Sequence, residues 1–329
     1  MTARARVAVA VALAAAAVAL AACAAPRDVD VATAVRGLDV TPSASPSPTP
    51  TPVKPCHPLD SLRPNAPLPA PGQMPARTYM YTLQHTIGHL TVGVDQNTQN
   101  FGFLDPGTGN IEGFEVDVAR EIAKAIFGPT DLKDHLQLRA MVTSQRIPMV
   151  KSGDVDMVVD AVTMTCARWG DVDFSTEYYE AHQRTLVRSD TAAATLDDLQ
   201  GHKGCATAGS TSVQTLADHG LLPVQVAART DCLVALETGQ VDAIQADDTI
   251  LLGFQLQDPA TKLLPSAKTD EPEPSGIAIA KDHQDFVRFV NGVLDQMRRD
   301  GRWAAIYKMW LGSPVPKAPT PQYMPGAGS

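Results

Sequence analysis

The stretch PMVKSGDVDMVVDAV, residues 148–162, combines the end of a helix, a glycine and an apolar strand. The stretch VALETGQVDAIQADD, residues 234–248, repeats the same order: helix end, glycine, Val-Asp and apolar strand. A short apolar strand beside a helix is typical of α/β units, in which the strand is buried. Two such units predict two similar α/β lobes, and ligand groups at the strand ends would meet in the cleft between them.

The rest of the folded body alternates between strand and helix patterns. Apolar runs predict further buried strands, at residues 90–95, 184–189 and 276–280. Residues 101–115 contain Asp-Pro-Gly between two short apolar segments, which predicts a hairpin. Apolar side chains recur every four positions in residues 114–128, which predicts an amphipathic helix that a glycine ends. With one or two helices at 283–310, about residues 78–312 form one large or two modest α/β domains.

The N-terminus resembles an export signal. Arg4 and Arg6 precede an apolar, alanine-rich run at residues 7–22 that is too short to be a good membrane span. The run ends in Leu-Ala-Ala-Cys at Cys23, which resembles a bacterial lipobox. We therefore expect residues 1–22 to be a lipoprotein signal peptide and Cys23 to carry lipid at the outer face of the cell membrane. An ordinary secretory signal that ends at a chance cysteine is the alternative.

Proline-rich segments flank the folded body. Pro, Ser, Thr and Ala dominate the chain after Cys23, and such a composition cannot bury a core. We expect residues 23–77 to be a lipidated, extended tether and residues 313–329 to be a flexible tail.

The formal net charge of −9 argues against binding to nucleic acid and against electrostatic binding to a membrane surface. If Cys23 is lipidated, an even number of cysteines remains, namely Cys56, Cys166, Cys205 and Cys232. In an exported protein this suggests two disulfides, and the sequence permits three pairings.

Sequence patterns of enzymes and metal sites are missing. The sequence has no G-x-S-x-G, H-E-x-x-H, Walker A or G-x-G-x-x-G motif. It also has no C-x-x-C spacing, and its eight histidines are scattered. We expect a protein without enzymatic activity, metal or other cofactor.

Four segments, in their order along the chain, carry a family resemblance. They are GVDQNTQNFGFLDPGTGNIEGFEVDVAREIAKAI, SQRIPMVKSGDVDMVVDAVTMTCARWGDVDFS, AGSTS and DAIQADDTIL. Together they resemble the bacterial family 3 extracellular solute-binding proteins, with the nearest likeness to actinobacterial glutamate-, aspartate- or asparagine-binding lipoproteins. The likeness covers about residues 85–311. It implies a two-lobed periplasmic-binding-protein-like fold of type II, in which two hinge strands join the lobes and the lobes close on a ligand.

The resemblance also implies the domain boundaries. Lobe 1 would comprise residues 78–186 and 277–312, and lobe 2 would comprise residues 190–273. The segments RTLVRS, 184–189, and SGIAIA, 275–280, would be the hinge crossings.

The family pattern assigns residues that hold a free amino acid, whose carboxylate and ammonium each need a partner when buried. Arg168 would clamp the α-carboxylate, with Thr163 and Thr165 beside it in a T-x-T-x-x-R pattern. Asp247 matches the position that takes the ammonium.

The AGSTS segment would add to the carboxylate site. Backbone N–H groups of Ser210 and Thr211, at the start of a helix, would point at the carboxylate. A plain N-cap is a compatible alternative.

Specificity would come from the side-chain pocket. Arg146, beside Ser144, is expected to hold a distal carboxylate or amide oxygen, and a structural ion pair for Arg146 is the alternative. Ala161, Asp95 and Asn97 complete the predicted site. Relatives often place an aromatic ring where this sequence has QNTQN, so a small polar or acidic ligand is favoured over a cationic one.

The cysteines fit the same arrangement. Cys205 and Cys232 both lie in lobe 2 and would pair there, and Cys166 would then bond Cys56. That second bridge would pin the end of the tether beside Arg168.

The resulting hypothesis is a lipid-anchored, monomeric receptor for a polar amino acid. Glutamate is expected first, aspartate or asparagine next, and then glutamine. The partner would be an ABC permease or, alternatively, a transmembrane sensor. An enzyme of the same fold, such as a lytic transglycosylase or dehydratase, and a structural or adhesive surface module are the remaining alternatives.

Overall fold

The computed structural model describes residues 56–65, 67–129, 131–265 and 272–325. The expected signal peptide, Cys23 and the tether up to residue 55 lie outside the described residues. Within these ranges, no helix is both long enough and apolar enough to cross a membrane.

Short strands alternate with helices throughout the described ranges. The helices are α1 Tyr79–Thr82, α2 Phe114–Phe127, α3 Arg146–Ser152, α4 Cys166–Trp169, α5 Ser212–Asp218, α6 Arg229–Glu237, α7 Asp248–Gln257, α8 Gln284–Asp300 and α9 Arg302–Leu311. A π-helical turn spans Leu83–Ile87, and 3-10 turns span Thr143–Gln145 and Asp197–Leu199. The strands are β1 Asp60–Ser61, β2 Leu90–Val94, β3 Asn97–Thr98, β4 Gly102–Leu104, β5 Ile111–Glu112, β6 Leu136–Ala140, β7 Met157–Val158, β8 Asp173–Phe174, β9 Tyr179–Arg188, β10 Lys203–Thr207, β11 Leu222–Val226, β12 Ala243–Asp247, β13 Thr261–Leu263, β14 Pro272–Ser275, β15 Ala278–Ile279 and β16 Gln322–Tyr323.

The first lobe is built on a sheet of order β6-β2-β7-β15-β8. Its strand β2 pairs in parallel with β6 and β7, and β15 runs antiparallel to β7 and β8. Helix α2 packs on this sheet because its four-residue apolar spacing forms one stripe. All four side chains of that stripe are fully buried, namely Phe114, Val118, Ile122 and Ile126. Beside the helix, β4 and β5 form the predicted hairpin.

The second lobe has its own sheet, of order β11-β10-β12-β9-β13, and its own core. Strands β10, β11 and β12 are parallel, as expected for α/β units, and β9 runs antiparallel to its two neighbours, β12 and β13. A disulfide between Cys205 on β10 and Cys232 on α6 lies inside this core. It is the pair expected from the sequence.

The hinge pairs the first half of β9 with β14. Residues 179–182 lie antiparallel to residues 272–275. The crossings therefore differ from those expected at RTLVRS and SGIAIA. RTLVRS already belongs to the second sheet, where it pairs with β12 and β13, and the middle of SGIAIA forms β15 of the first sheet.

The segments on either side of the two lobes fold back onto the first lobe, contrary to the expectation of a tether up to 77 and a flexible tail from 313. Strand β1 pairs in parallel with β16. The Ser61 hydroxyl donates to the Phe174 carbonyl (2.6 Å), and the Tyr323 hydroxyl donates to Asp295 (2.5 Å). Leu62 and Met74 are buried in the core of the first lobe. Prolines prevent these segments from forming helices, but extended chain can still pack on a core that other residues supply.

A second disulfide, Cys56–Cys166, fixes the start of this flanking segment to α4. The indole N–H of Trp169 donates to the Pro58 carbonyl at 2.8 Å and strengthens the same attachment. The pairing matches the one expected from the sequence.

Candidate functional site

A cavity of about 30 Å³ lies where the carboxyl ends of β7, β10 and β12 meet between the lobes. Polar side chains from both lobes border it, among them Thr143, Arg146 and Thr163 from the first lobe and Ser210, Thr211, Arg229 and Asp247 from the second. Its apolar lining includes Ile244, Ile250 and Phe254 of the second lobe. An apolar lining with a few convergent polar and charged groups is typical of a site for a small molecule.

The two lobes touch beside the cavity at Gly209 and Ser144. Gly209 has a positive φ of 81°, and a Cβ added there would lie 3.0 Å from the Cα of Ser144. A glycine is suited to this point because it tolerates both the left-handed backbone and the close approach. The cleft is therefore closed in this structure.

Arg168 lies at the edge of this contact, on the single-turn helix α4. Thr165 caps the helix, since its hydroxyl accepts from the Arg168 N–H at 3.2 Å. The guanidinium donates to the Thr163 carbonyl (2.7 Å) and, across the cleft, to the Gly209 carbonyl (3.0 Å). Burial, aided by the nearby Arg146, lowers the pKa of Arg168 to about 10. Among the described residues no carboxylate forms an ion pair with it.

Arg146 is 4% exposed and borders the cavity directly. It donates only to backbone carbonyls, those of Thr143 (3.0 Å), Asp160 (2.9 Å) and Ala161 (2.8 Å). Burial lowers its pKa, although Asp160 opposes this shift. Within the described part of the chain, Arg146 forms no salt bridge of the kind considered as its alternative role.

The buried Glu115 carboxyl holds the backbone of Ala161, which follows strand β7. Ala161 has a φ of 41°, in the left-handed region that side chains other than glycine rarely adopt. Its N–H donates to Glu115 (2.7 Å), which also accepts from the Tyr178 hydroxyl (2.5 Å). Burial and the proximity of Asp160 raise the pKa of Glu115 to about 7. This support holds the Ala161 carbonyl against Arg146.

Asp247 ends strand β12 on the opposite wall of the cavity. It is 6% exposed, and burial followed by repulsion from Glu273 raises its pKa to about 7. No group in the described ranges donates a hydrogen bond to its carboxylate. The neighbouring Asp248 faces elsewhere and accepts from the backbone N–H groups of His182 (3.5 Å) and Thr249 (2.8 Å). Asp247 is thus a buried acceptor available to a cation in the cavity.

The AGSTS segment agrees with the expectation in part. Ser210 and Thr211 both border the cavity, but the Ser210 N–H donates to the Thr207 carbonyl (3.1 Å) and does not point at an anion. The turn bends back on strand β10 before α5 begins at Ser212, and this closes the Ser210 N–H into a local hydrogen bond. The Thr211 hydroxyl accepts from the Gln183 amide at 3.2 Å.

Five predicted residues do not border the cavity, and one of them is Arg168, which lies at the contact between the lobes. Thr165 instead caps α4, and Ser144 is exposed on the 3-10 turn, where the one-residue offset places Thr143 in the cavity. Asp95 is bound to Arg229, and Asn97 lies beside it, with its amide 3.4 Å from the Asp95 carboxylate.

Arg229 was not predicted from the sequence. It begins helix α6 of the second lobe and crosses to the first, where it pairs with Asp95 (2.6 Å) and Asp160 (2.7 Å). In the sequence it reads as the polar first residue of a helix, and no local pattern distinguishes it from an exposed arginine. Only the closure of the lobes brings it to the two acids.

The family is shown by direct comparison. Residues 90–313 match the model of the bacterial extracellular solute-binding proteins, family 3. The chain belongs to this family. The resemblance noted in the sequence is thus confirmed, and with it the two-lobed fold and the absence of an enzymatic role, since members of the family bind solutes without converting them.

Two curated relatives illustrate the likeness. The ABC transporter glutamine-binding protein GlnH of Bacillus subtilis is 35% identical over 225 residues, which cover 68% of this chain and 81% of the relative. The glutamate-binding protein GluB of Corynebacterium glutamicum is 30% identical over 235 residues, which cover 68% of this chain and 79% of the relative.

A solved structure of an amino-acid-binding protein has a similar fold. An ancestral arginine-binding protein bound to glutamine superposes with a TM-score of 0.63 at 32% identity, covering 70% of this chain and all of the other. Amino-acid-binding proteins are therefore the relatives in sequence and in structure.

Proposed function

We propose that this solute-binding protein captures a polar amino acid, glutamate first, then aspartate or asparagine, and then glutamine. The observation that carries the proposal is the pair Arg146 and Arg168. Arg146 is buried and Arg168 is half-buried, and both donate only to backbone carbonyls. A buried cation without a counter-ion is unfavourable, so two of them beside one cleft favour a ligand with two anionic groups.

Each charge of such a ligand has a partner in the cleft. Arg168 would hold the α-carboxylate, in keeping with the family pattern, and Arg146 would hold the side-chain carboxylate. Asp247, on the opposite lobe, would accept from the ammonium. Because the two arginines lie on one lobe and Asp247 on the other, a zwitterionic ligand bridges the lobes and favours the closed form.

Glutamine is a second candidate. The Bacillus subtilis relative is named a glutamine-binding protein, and an amide oxygen can also accept a hydrogen bond from Arg146. The ratio of the affinities for glutamate and glutamine separates the two.

The decisive experiment is isothermal titration of the protein, first unfolded and refolded to remove carried ligand, against the twenty amino acids. Micromolar or tighter binding of glutamate, about −8 kcal/mol or better, would support the proposal. Arg146→Ala should weaken glutamate and aspartate more than glutamine and asparagine, whereas Arg168→Ala and Asp247→Ala should weaken all four. If no amino acid binds, the ligand assignment fails and a purely structural or adhesive role gains support.

We further propose that the protein is a monomer held by lipid on Cys23 at the outer face of the cell membrane. The apolar run that ends in Leu-Ala-Ala-Cys supports the anchor. Cys23→Ala should move the protein from the membrane fraction to the medium, and retention in the membrane fraction would contradict the anchor.

The partner is proposed to be an ABC permease, in keeping with the name of the Bacillus subtilis relative, and a transmembrane sensor is the alternative. Deletion of the gene should reduce uptake of labelled ligand if the partner is a permease. Unchanged uptake with a changed cellular response to the amino acid would favour the sensor.

A further inference from the structure

Arg229 is a buried cation that the proposed ligand contacts do not use. It is 7% exposed, although it belongs to the first turn of a helix, where arginine is usually solvated. Its guanidinium lies between the lobes, and both terminal nitrogens donate to groups of the first lobe. The residue therefore has a role that requires the closed cleft.

Three polar groups of the first lobe surround this guanidinium. One terminal nitrogen donates to Asp95 (2.6 Å) and to the Thr98 hydroxyl (3.0 Å), and the other donates to Asp160 (2.7 Å). Thr98 in turn donates to Asp95. Both carboxylates are almost completely buried. The first lobe thus presents a preformed site for a guanidinium or ammonium group, and Arg229 fills it from the second lobe.

This cation site adjoins the ligand cavity. Arg229 borders the same cavity as Arg146 and Asp247. If the arginine side chain were shortened to its Cβ, the space that it vacates would open onto the cavity, and two buried carboxylates without a counter-ion would face that space. Since uncompensated buried carboxylates are unfavourable, they would attract a cation from the ligand.

We propose that the Arg229 guanidinium occupies the place that a positively charged ligand side chain would take, and that it thereby excludes cationic amino acids from the cleft. The inference rests on the proposed function only in that the cleft binds free amino acids. Arg229 is then a specificity-determining residue: it neutralises Asp95 and Asp160 in the closed protein and keeps the cavity suited to ligands without a side-chain cation. A bridge that served only to close the lobes would leave ligand preference unchanged when removed.

The test is titration of the wild type and of Arg229→Ala with glutamate, glutamine, arginine and lysine at neutral pH. The wild type should bind neither arginine nor lysine measurably. Arg229→Ala should bind arginine at least about tenfold more tightly than the wild type does, because charge pairs at such distances couple by at least that factor. The same variant should bind glutamate more weakly.

Two further variants separate charge from space. Arg229→Lys retains a cation and should still exclude arginine. The triple variant Arg229→Ala, Asp95→Asn, Asp160→Asn has the vacated space without the carboxylates and should gain no arginine binding. If Arg229→Ala is too unstable for calorimetry, its thermal unfolding should shift upward with added arginine and not with added glutamate.

Several results would overturn the inference: arginine binding by the wild type, an unchanged ligand preference in Arg229→Ala, or an equal gain of arginine binding in the triple variant. Failure of the wild type to bind glutamate or glutamine is a separate result, which would contradict the proposed function. A gain of arginine binding in Arg229→Ala would support the role of Arg229 even then.

Discussion

At the scale of single residues, the cleft is defined by how each charge is balanced. Arg229 has two carboxylate partners, whereas Arg146 and Arg168 have only backbone carbonyls, and the Asp247 carboxylate accepts no hydrogen bond from the described residues. Charges that lack partners in the protein are those that a ligand can pair with. The cleft thus offers two positive groups and one negative group to a solute.

The pKa of Asp247 predicts a pH-dependent affinity. In the closed cleft without ligand that pKa is raised from 3.8 to about 7, so Asp247 carries a proton there below neutral pH. A ligand ammonium favours the ionised carboxylate, and binding must therefore release this proton. Affinity for glutamate should rise by up to about tenfold per pH unit from pH 5 to about pH 7 and level off above it. Calorimetry across this range, in buffers of different ionisation enthalpy, measures both the affinity and the released proton.

The control for this prediction is Asp247→Asn, which cannot titrate. It should bind weakly, with little pH dependence between pH 5 and 7. Because the pKa of Asp247 is higher in the folded protein than in the unfolded chain, ionisation of this carboxyl destabilises the folded protein. The free energy of unfolding of the wild type without ligand should therefore fall as pH rises from about 4 to about 7. A pH slope of affinity that persists in Asp247→Asn would show that another group is responsible.

The close contact at Gly209 predicts that a larger residue there hinders closure of the two lobes. Alanine at this position would strain the left-handed backbone and bring its Cβ to 3.0 Å from Ser144 of the other lobe. Gly209→Ala should weaken ligand binding by roughly tenfold or more, since a loss of about 1.4 kcal/mol is one factor of ten. Affinity by calorimetry and compactness by small-angle scattering measure the effect.

Gly239 provides the matched control. It has a similar φ of 70° in the same lobe, but a Cβ there would meet nothing within 4 Å. Because both glycines have a positive φ, Gly239→Ala and Gly209→Ala should lower the free energy of unfolding by similar amounts. Gly239→Ala should leave the affinity for the ligand unchanged. Equal affinities in the two variants would argue against the Gly209 contact as a determinant of closure.

At the scale of secondary-structure elements, α4 depends on its attachments. A single helical turn is unstable on its own. This one is stabilised by its Thr165 cap, by the Cys56–Cys166 disulfide and by the hydrogen bond from the Trp169 indole to the Pro58 carbonyl. These attachments fix the element that carries Arg168. Packing against residues distant in sequence, more than helix propensity, positions Arg168, the proposed partner of the α-carboxylate.

Removal of this disulfide should therefore affect both stability and binding. The variant Cys56→Ser, Cys166→Ser should lose roughly 2–4 kcal/mol of stability and bind glutamate several times more weakly, because Arg168 must be ordered on binding. The control Cys205→Ala, Cys232→Ala removes a bridge inside the second lobe and should lower stability alone. Thermal unfolding and calorimetry under non-reducing conditions test both, and unchanged affinity in the first variant would exclude a role for that bridge in the site.

At the scale of the whole molecule, one antiparallel pair of strands, β9 and β14, joins the two lobes. Both flanking segments pack on the first lobe. The buried Asn291 side chain donates to the Ser61 hydroxyl (2.8 Å) and to the Leu62 carbonyl (2.7 Å). The flanking segments lie on the first lobe and leave the second lobe to move about the hinge.

Removal of the C-terminal segment tests this division. A chain that ends at residue 313 loses the pairing of β1 with β16 and the Tyr323 bond to Asp295. Its melting temperature should fall by roughly 2–4 °C for each kcal/mol lost, whereas affinity for the ligand should not change. Tyr323→Phe removes only the hydroxyl and should show a smaller loss. An unchanged melting temperature on truncation would indicate that the segment does not contribute to stability.

The sequence by itself determined most of the helices and strands and their division into two similar lobes, because these depend on local patterns. Apolar spacing specified α2 and the Asp-Pro-Gly turn specified the hairpin, whereas the roles expected of Arg168 and Asp247 came from the resemblance to the family. The tertiary structure alone decided which polar groups meet. Arg229 and Asp95 are 134 residues apart in sequence, and no local pattern links them. The flanking segments likewise showed only a composition that forms no core, and whether such extended chain packs on a neighbouring lobe depends on surfaces that exist only after the lobe has folded.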